Sequence, residues 1–81
     1  VAVTATGTLD AGSGTLYSVH ITAGADAAVA VFRTGGSGGT VIAAVGAGIG
    51  GTGSHTFCGG PGYINLHVTV TGTTPNVVAE I

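Results

Sequence analysis

The sequence predicts an all-β fold: a small antiparallel β-sandwich or jelly-roll-like barrel of about six to seven strands, in a single domain covering residues 1–81. Three observations carry that reading. Seventeen glycines are spread through the chain, each costing about 1 kcal/mol against Ala inside a helix, and no stretch repeats its apolar residues at the three-and-four spacing of a helix. Several stretches alternate apolar and polar residues with period two, as half-buried strands do. The segments between them are rich in Gly, Ser, Asp, Asn and Pro, which set turn geometry.

Taken in order, the first strand is expected over Ala2 to Thr8, followed by a turn at Asp10 to Gly14. Thr15 to Thr22 alternates, with Tyr17, Val19 and Ile21 on one face and Leu16, Ser18, His20 and Thr22 on the other. After a turn at Ala23 to Ala25, Ala27 to Arg33 is almost wholly apolar, as a strand covered on both faces would be. A Gly-rich turn, Thr34 to Gly39, leads to a strand over Thr40 to Val45, and the long loop Gly46 to Gly53 precedes a seventh, weaker strand at Ser54 to Cys58. Gly59 to Gly62 then turns into the clearest alternation. In Tyr63 to Thr71, Ile64, Leu66, Val68 and Val70 face the core, and Tyr63, Asn65, His67, Thr69 and Thr71 face away. Gly72 to Asn76 turns into a closing strand, Val77 to Ile81.

Composition sets limits on how such a sandwich is stabilised. Two Phe, two Tyr, no Trp and no Met leave Val, Ile, Leu and Ala to fill the core. At about 25 cal/mol per Å² of buried apolar surface, a domain of this size gains little over its chain entropy. One Cys excludes an internal disulfide. Self-association is the remaining staple, because subunit contacts bury apolar area that a monomer leaves wet. Only Asp10, Asp26, Arg33 and Glu80 are charged, far below the roughly 25% of ordinary soluble domains, so copies repel one another weakly. A single Arg gives no phosphate-binding cluster, which argues against nucleic acid as a partner. No apolar run approaches the roughly 20 residues of a membrane-spanning helix, and no membrane partner is expected. Val1 in place of Met fits removal of an initiator Met or of a leader.

The chemistry-bearing residues complete no motif. Gly46, Gly48 and Gly51 match a dinucleotide fingerprint and Gly35 to Gly39 a nucleophile elbow around Ser37. Each motif needs a helix behind it, and none follows. His20, His55, Cys58 and His67 are zinc-ligand types without zinc-ligand spacing. Asp10 and Asp26 are the only acids available as a pair before Glu80, and both sit where Asp commonly bonds its own backbone. Thr69, Thr71, Thr73 and Thr74 suit a wet strand face. The sequence therefore assigns no catalytic, cofactor-binding or metal-ligating residue, and the expectation is a protein that is not an enzyme.

The run Gly14-Thr15-Leu16-Tyr17-Ser18-Val19-His20-Ile21-Thr22-Ala23-Gly24, then Gly39-Thr40-Val41-Ile42-Ala43, then Gly62 to Gly72 with its closing strand, resembles small β-sandwich virion proteins of tailed bacteriophages. The resemblance covers about Gly14 to Ile81 and rests on strands and turns. It implies a capsid decoration or cement protein, or a head-fibre module. Such a protein would sit on the capsid exterior of the virion as a homotrimer that binds the major capsid protein and bridges its subunits. The alternative it implies is a carbohydrate- or host-surface-binding adhesion module of a fibre or tail appendage, for which Tyr17, Phe57 and Tyr63 are the available aromatic residues. Loops Thr34 to Gly39 and Gly46 to Gly53, and an edge strand at either terminus, are the expected contact regions.

Overall fold

A computed structural model describes residues 2–57, 60–72 and 75–81. Eight strands follow one another: β1 (Ala2–Val3), β2 (Gly7–Thr15), β3 (Ser18–Thr22), β4 (Ala28–Thr34), β5 (Thr40–Ala47), β6 (Thr52–Thr56), β7 (Gly62–Thr71) and β8 (Asn76–Glu80). They form two four-stranded sheets, β1-β8-β3-β6 and β2-β7-β4-β5, with every neighbouring pair antiparallel. β1 pairs with β8, β2 with β7, β3 with β6 and β4 with β5. The chain is thus a nested antiparallel ribbon, rolled so that β3 also meets β8 and β4 also meets β7. That is the strand order of a jelly roll.

The core lies between the sheets. Leu16, Val19, Ala28, Ala30, Phe32, Leu66, Val68, Val77 and Ala79 are wholly buried, and Phe32 is the largest of them. Each full-sized apolar side chain there contributes roughly 1.5–3 kcal/mol, an upper figure for a chain whose unfolded state is partly collapsed. The sheets approach most closely beside β5 and β6. A Cβ at Gly53 would run into the carbonyl oxygen of Gly46, so glycine is required where the backbones of two sheets meet.

Several expectations need correction. The first expected strand divides into β1 and the start of β2, with bends between them, which raises the count to eight. Asp10 to Gly14 is no turn but the middle of β2, where two register shifts interrupt its pairing with β7; small residues that suit turns also suit β-bulges. Thr15 to Thr22 is broken at Leu16 and Tyr17, where the chain crosses between sheets. The Leu16 N–H bonds Pro61 ahead of β7, and the Tyr17 N–H bonds Glu80 of the opposite sheet. Leu16 consequently enters the core and Tyr17 turns outward.

β4 is buried on one face only. Ala28, Ala30 and Phe32 point inward, and Val29, on the other face, is 43% exposed. In β7 the expected faces hold from Leu66 onward but reverse before it, with Tyr63 buried and Ile64 exposed. Asn65 lies between them at a φ of 55°, and this left-handed residue interrupts the regular alternation of faces. The closing strand is not an edge, because β8 lies between β1 and β3, whereas β1 is at an edge. Cys58, Thr73 and Thr74 fall outside the described residues.

Candidate functional site

Three places on the surface gather polar or exposed side chains. The first is built on the irregular edge of the β2-β7-β4-β5 sheet. Bulging of β2 brings Asp10 within reach of Tyr63, whose hydroxyl donates to Asp10 Oδ2 at 2.6 Å; the Gly12 N–H donates to Oδ1 at 2.9 Å. Gly14 is opposite Tyr63 in the ladder. A Cβ there would stand 2.7 Å from the phenol oxygen, so the ring lies across β2 only because residue 14 has no side chain. The Tyr63 hydrogen bond, reinforced by Gly12, holds the Asp10 carboxyl below its ordinary range. The same bond to Asp10, with burial and the carboxylate charge adding to it, pushes the Tyr63 phenol up to about 12. At neutral pH the pair is therefore a fixed donor on a fixed carboxylate. A general acid or base needs a pKa near the working pH, and neither group has one.

Beside this latch is an open groove of about 540 Å³, lined by Ser13, Gly14, Thr15, Thr34, Gly62, Tyr63 and Ile64. Thr34 fixes one wall: its hydroxyl accepts from the Ile64 N–H at 2.9 Å and donates to the Ile64 carbonyl at 3.1 Å. The Ile64 side chain stands 69% exposed in the lining. Hydroxyls and one apolar side chain, with no charged group among them, suit an uncharged ligand.

The second place is on the outer face of the other sheet. Ser18 and Glu80 are opposite one another on β3 and β8, and His20 is two residues along β3. His20 Nε2 is 3.4 Å from Ser18 Oγ and 3.4 Å from Glu80 Oε1. These are the residue types of a nucleophile, base and acid. A relay, however, needs the acid on the ring nitrogen opposite the nucleophile, and here both contacts converge on Nε2. The cluster is on a sheet surface, with His20 and Glu80 substantially exposed. Both contacts are long, at 3.4 Å, and open to solvent, so they hold the ring only weakly.

The third is the outer face of the β2-β7-β4-β5 sheet. Val29 pairs with Thr71 and Gly46, Val31 with Thr69 and Ala44, and Arg33 with His67 and Val41. Val29 and Val41 are 43% and 51% exposed. Arg33 Nη1 donates to Thr69 Oγ1 at 2.9 Å, which lays the guanidinium along the sheet. His67 is buried beside it, with Nδ1 lacking a partner among the described residues.

Other residues singled out in the sequence are dispersed. His20 belongs to the cluster above, His67 to the opposite face, and His55 to edge strand β6, where its ring meets that of Phe57 edge-on at 4.6 Å. Among the described residues no three His, Cys, Asp or Glu gather as metal ligands would. Gly35 to Gly39 connects β4 to β5, and Gly48 to Gly51 forms a turn between β5 and β6, so strands rather than helices follow both glycine motifs. Asp26 is in the connection from β3 to β4, whereas Asp10 is on β2. Of the three aromatic candidates, Tyr17 is 54% exposed, Phe57 is packed partly against the core, and the Tyr63 ring is buried.

Protein-family models, curated proteins and solved structures contain no match to the chain. The Asp10–Tyr63 latch and the Ser18–His20–Glu80 cluster escaped the sequence reading. The i, i+2 spacing of Ser18 and His20 on a strand was a visible signal, whereas a hydrogen bond spanning 53 residues left none.

Proposed function

We propose that this chain is a structural contact module rather than an enzyme. In its specific form it is a decoration or cement protein that binds the exterior of a phage capsid and braces it by bridging subunits of the major capsid protein. The observation that supports this most directly is the uncovered face of the β2-β7-β4-β5 sheet. It bears Val and Thr, and its one cation, Arg33, is already bonded to Thr69. Such a face gains from burial against another neutral surface and loses little charge solvation on the way. Many copies on a symmetric shell gain avidity without strong single contacts. Jelly rolls serve viral capsid and lectin domains alike, so the architecture is shared by both readings and the surface decides between them.

Co-sedimentation with assembled tailed-phage heads tests the reading. Saturable binding by the wild type, lost in Val29→Lys and Val41→Lys proteins that remain folded, is the expected outcome. Heads that take up no protein, or take up the Lys variants equally well, would remove its basis. A second reading, a carbohydrate- or host-surface-binding adhesion module, draws on the uncharged hydroxyl-lined groove and on exposed Tyr17. Glycan-array binding abolished by Thr34→Val would transfer support to it.

A further inference from the structure

We infer that Arg33 anchors a docking surface on the outer face of the β2-β7-β4-β5 sheet, and that the partner it fits is a polypeptide surface carrying one Asp or Glu carboxylate among apolar side chains.

Arg33 is the chain's one Arg, and there is no Lys. It stands on β4, an interior strand of that sheet. Thr8, His67, Arg33 and Val41 form one row across the four strands, and Thr69 and Val31 belong to the next. The bond from Arg33 Nη1 to Thr69 Oγ1, at 2.9 Å, runs diagonally between the rows and fixes the direction of the guanidinium. A guanidinium offers five N–H groups in a planar fork, and a hydroxyl takes up one of them without cancelling the charge.

None of the three acids in the chain cancels it either. Asp10 is bonded to Tyr63 and to the Gly12 N–H, and Glu80 is beside His20 on the other sheet. Asp26 precedes β4, and the stretch from Ala28 to Arg33 alone spans about 16 Å of strand. The ring next to Arg33 in the row also lacks a partner. His67 is only 9% exposed, and its Nδ1 is shut off from solvent with no hydrogen bond among the described residues. Buried polar atoms are normally paired. In the tautomer with its proton on Nδ1, this ring is a donor in need of an acceptor, and an oxyanion seated on the guanidinium brings one to the neighbouring position.

Burial is what makes the partner's chemistry specific. The inference rests on the reading that this face is a contact surface, and not on which protein covers it. Val29 and Val41 gain when apolar side chains cover them. Arg33 is covered with them, and a guanidinium removed from water without a counter-charge is strongly destabilising. The covering surface is therefore neutral except for one carboxylate, which cancels the one charge on this side and accepts two parallel N–H bonds from the fork. A phosphate is a poorer match, because phosphate-binding surfaces gather several cations and this face has one. An Arg set among apolar neighbours and desolvated on contact is also the form that interface hot spots take.

Nuclear magnetic resonance of the whole chain tests this with isovalerate, a carboxylate on a branched apolar tail, against isovaleramide, its uncharged counterpart. Isovalerate should shift the Arg33 Nε–H and His67 Nδ1 resonances saturably in the millimolar range, and isovaleramide should not. Arg33→Gln should weaken this binding at least about tenfold, read at His67 with an unchanged circular dichroism spectrum. Arg33→Lys keeps the charge but loses the fork and should fall between the two. No saturation, an equal response to the amide, or tighter binding of sulfate would overturn the inference. If phage heads take up the wild type, Arg33→Gln should raise the dissociation constant at least about tenfold. Equal uptake of that variant overturns this inference and leaves the capsid reading intact. Heads that ignore the wild type remove the capsid reading, and the isovalerate result then decides this one.

Discussion

β2 and β5 bound the same sheet, yet they are held in opposite ways. β2 departs from its ladder twice and is pinned by a polar latch in which Tyr63 lies over Gly14 to reach Asp10. β5 runs smoothly from Ala43, contributes Val45 to the core, and relies on apolar packing against β4. The difference teaches what a chain with few large apolar residues does at its margins. Where the edge is bulged, a directional bond replaces packing and fixes one geometry. Where the edge is regular, packing alone is enough.

The largest expected effect is on the packed side. Phe32→Ala removes the biggest buried side chain, which sits opposite Ala43 of β5. It should cost about 3–5 kcal/mol by urea denaturation, a large fraction of the stability of an ordinary domain. A loss under ~1 kcal/mol would mean that β5 is not held by packing. On the latched side, Gly14→Ala places a methyl group against the Tyr63 hydroxyl and ring and should cost about 1–3 kcal/mol. The Tyr63 phenol should then titrate closer to its ordinary 10.0, read by ultraviolet absorbance; an unmoved titration would show that the ring can keep its bond to Asp10 without crossing residue 14.

The latch also has a pH signature that packing lacks. Asp10 has its folded pKa depressed, so its contribution is present above the ordinary value of 3.8 and is lost as pH falls through the lower folded value. Tyr63 has its folded pKa raised, so its contribution is complete below 10.0 and is lost as pH rises from there through about 12. Tyr63→Phe should flatten both limbs of the stability profile and lower stability slightly in between. Two unaltered limbs in that variant would assign them to other groups. The smallest effect belongs to the open face: Val29→Thr and Val41→Thr should change monomer stability by no more than ~0.5 kcal/mol. A larger loss in thermal denaturation would mean that this face is already covered.

The same contrast explains what could be read from the sequence. Val19, Ile21, Leu66 and Val68 were legible as core because regular pleating makes side-chain direction a matter of parity. Tyr63 and Ile64 were assigned to the wrong faces because parity fails at Asn65; Asn enters the left-handed region more readily than most residues, and that was the one local mark of the break. Asp10 to Gly14 was taken for a turn because Gly, Ser and Asp favour sharp bends and bulges alike. The apolar run of β4 suggested cover on both faces, although Val29 and Val31 are equally suited to an outer face that a strand leaves wet. Of the surface features, the low charge was plain in composition. The latch and groove depended on bringing Asp10 to Tyr63 across 53 of the 81 residues, with Ser13 alongside, which no local pattern encodes.

The nested order of strand pairs also dictates how the chain must assemble in time. β4 and β5, joined by five residues, Gly35 to Gly39, are the sole pair of consecutive strands in the same sheet. Every other ladder joins partners that are further apart, out to β1 with β8 across nearly the whole sequence. The hairpin is the cheapest loop to close, and each later pair is brought closer by the one inside it. The topology predicts folding from the centre of the chain outward, on the millisecond-to-second scale of folds dominated by distant contacts. Hydrogen exchange should find the last-formed ladder, β1 on β8, opening first.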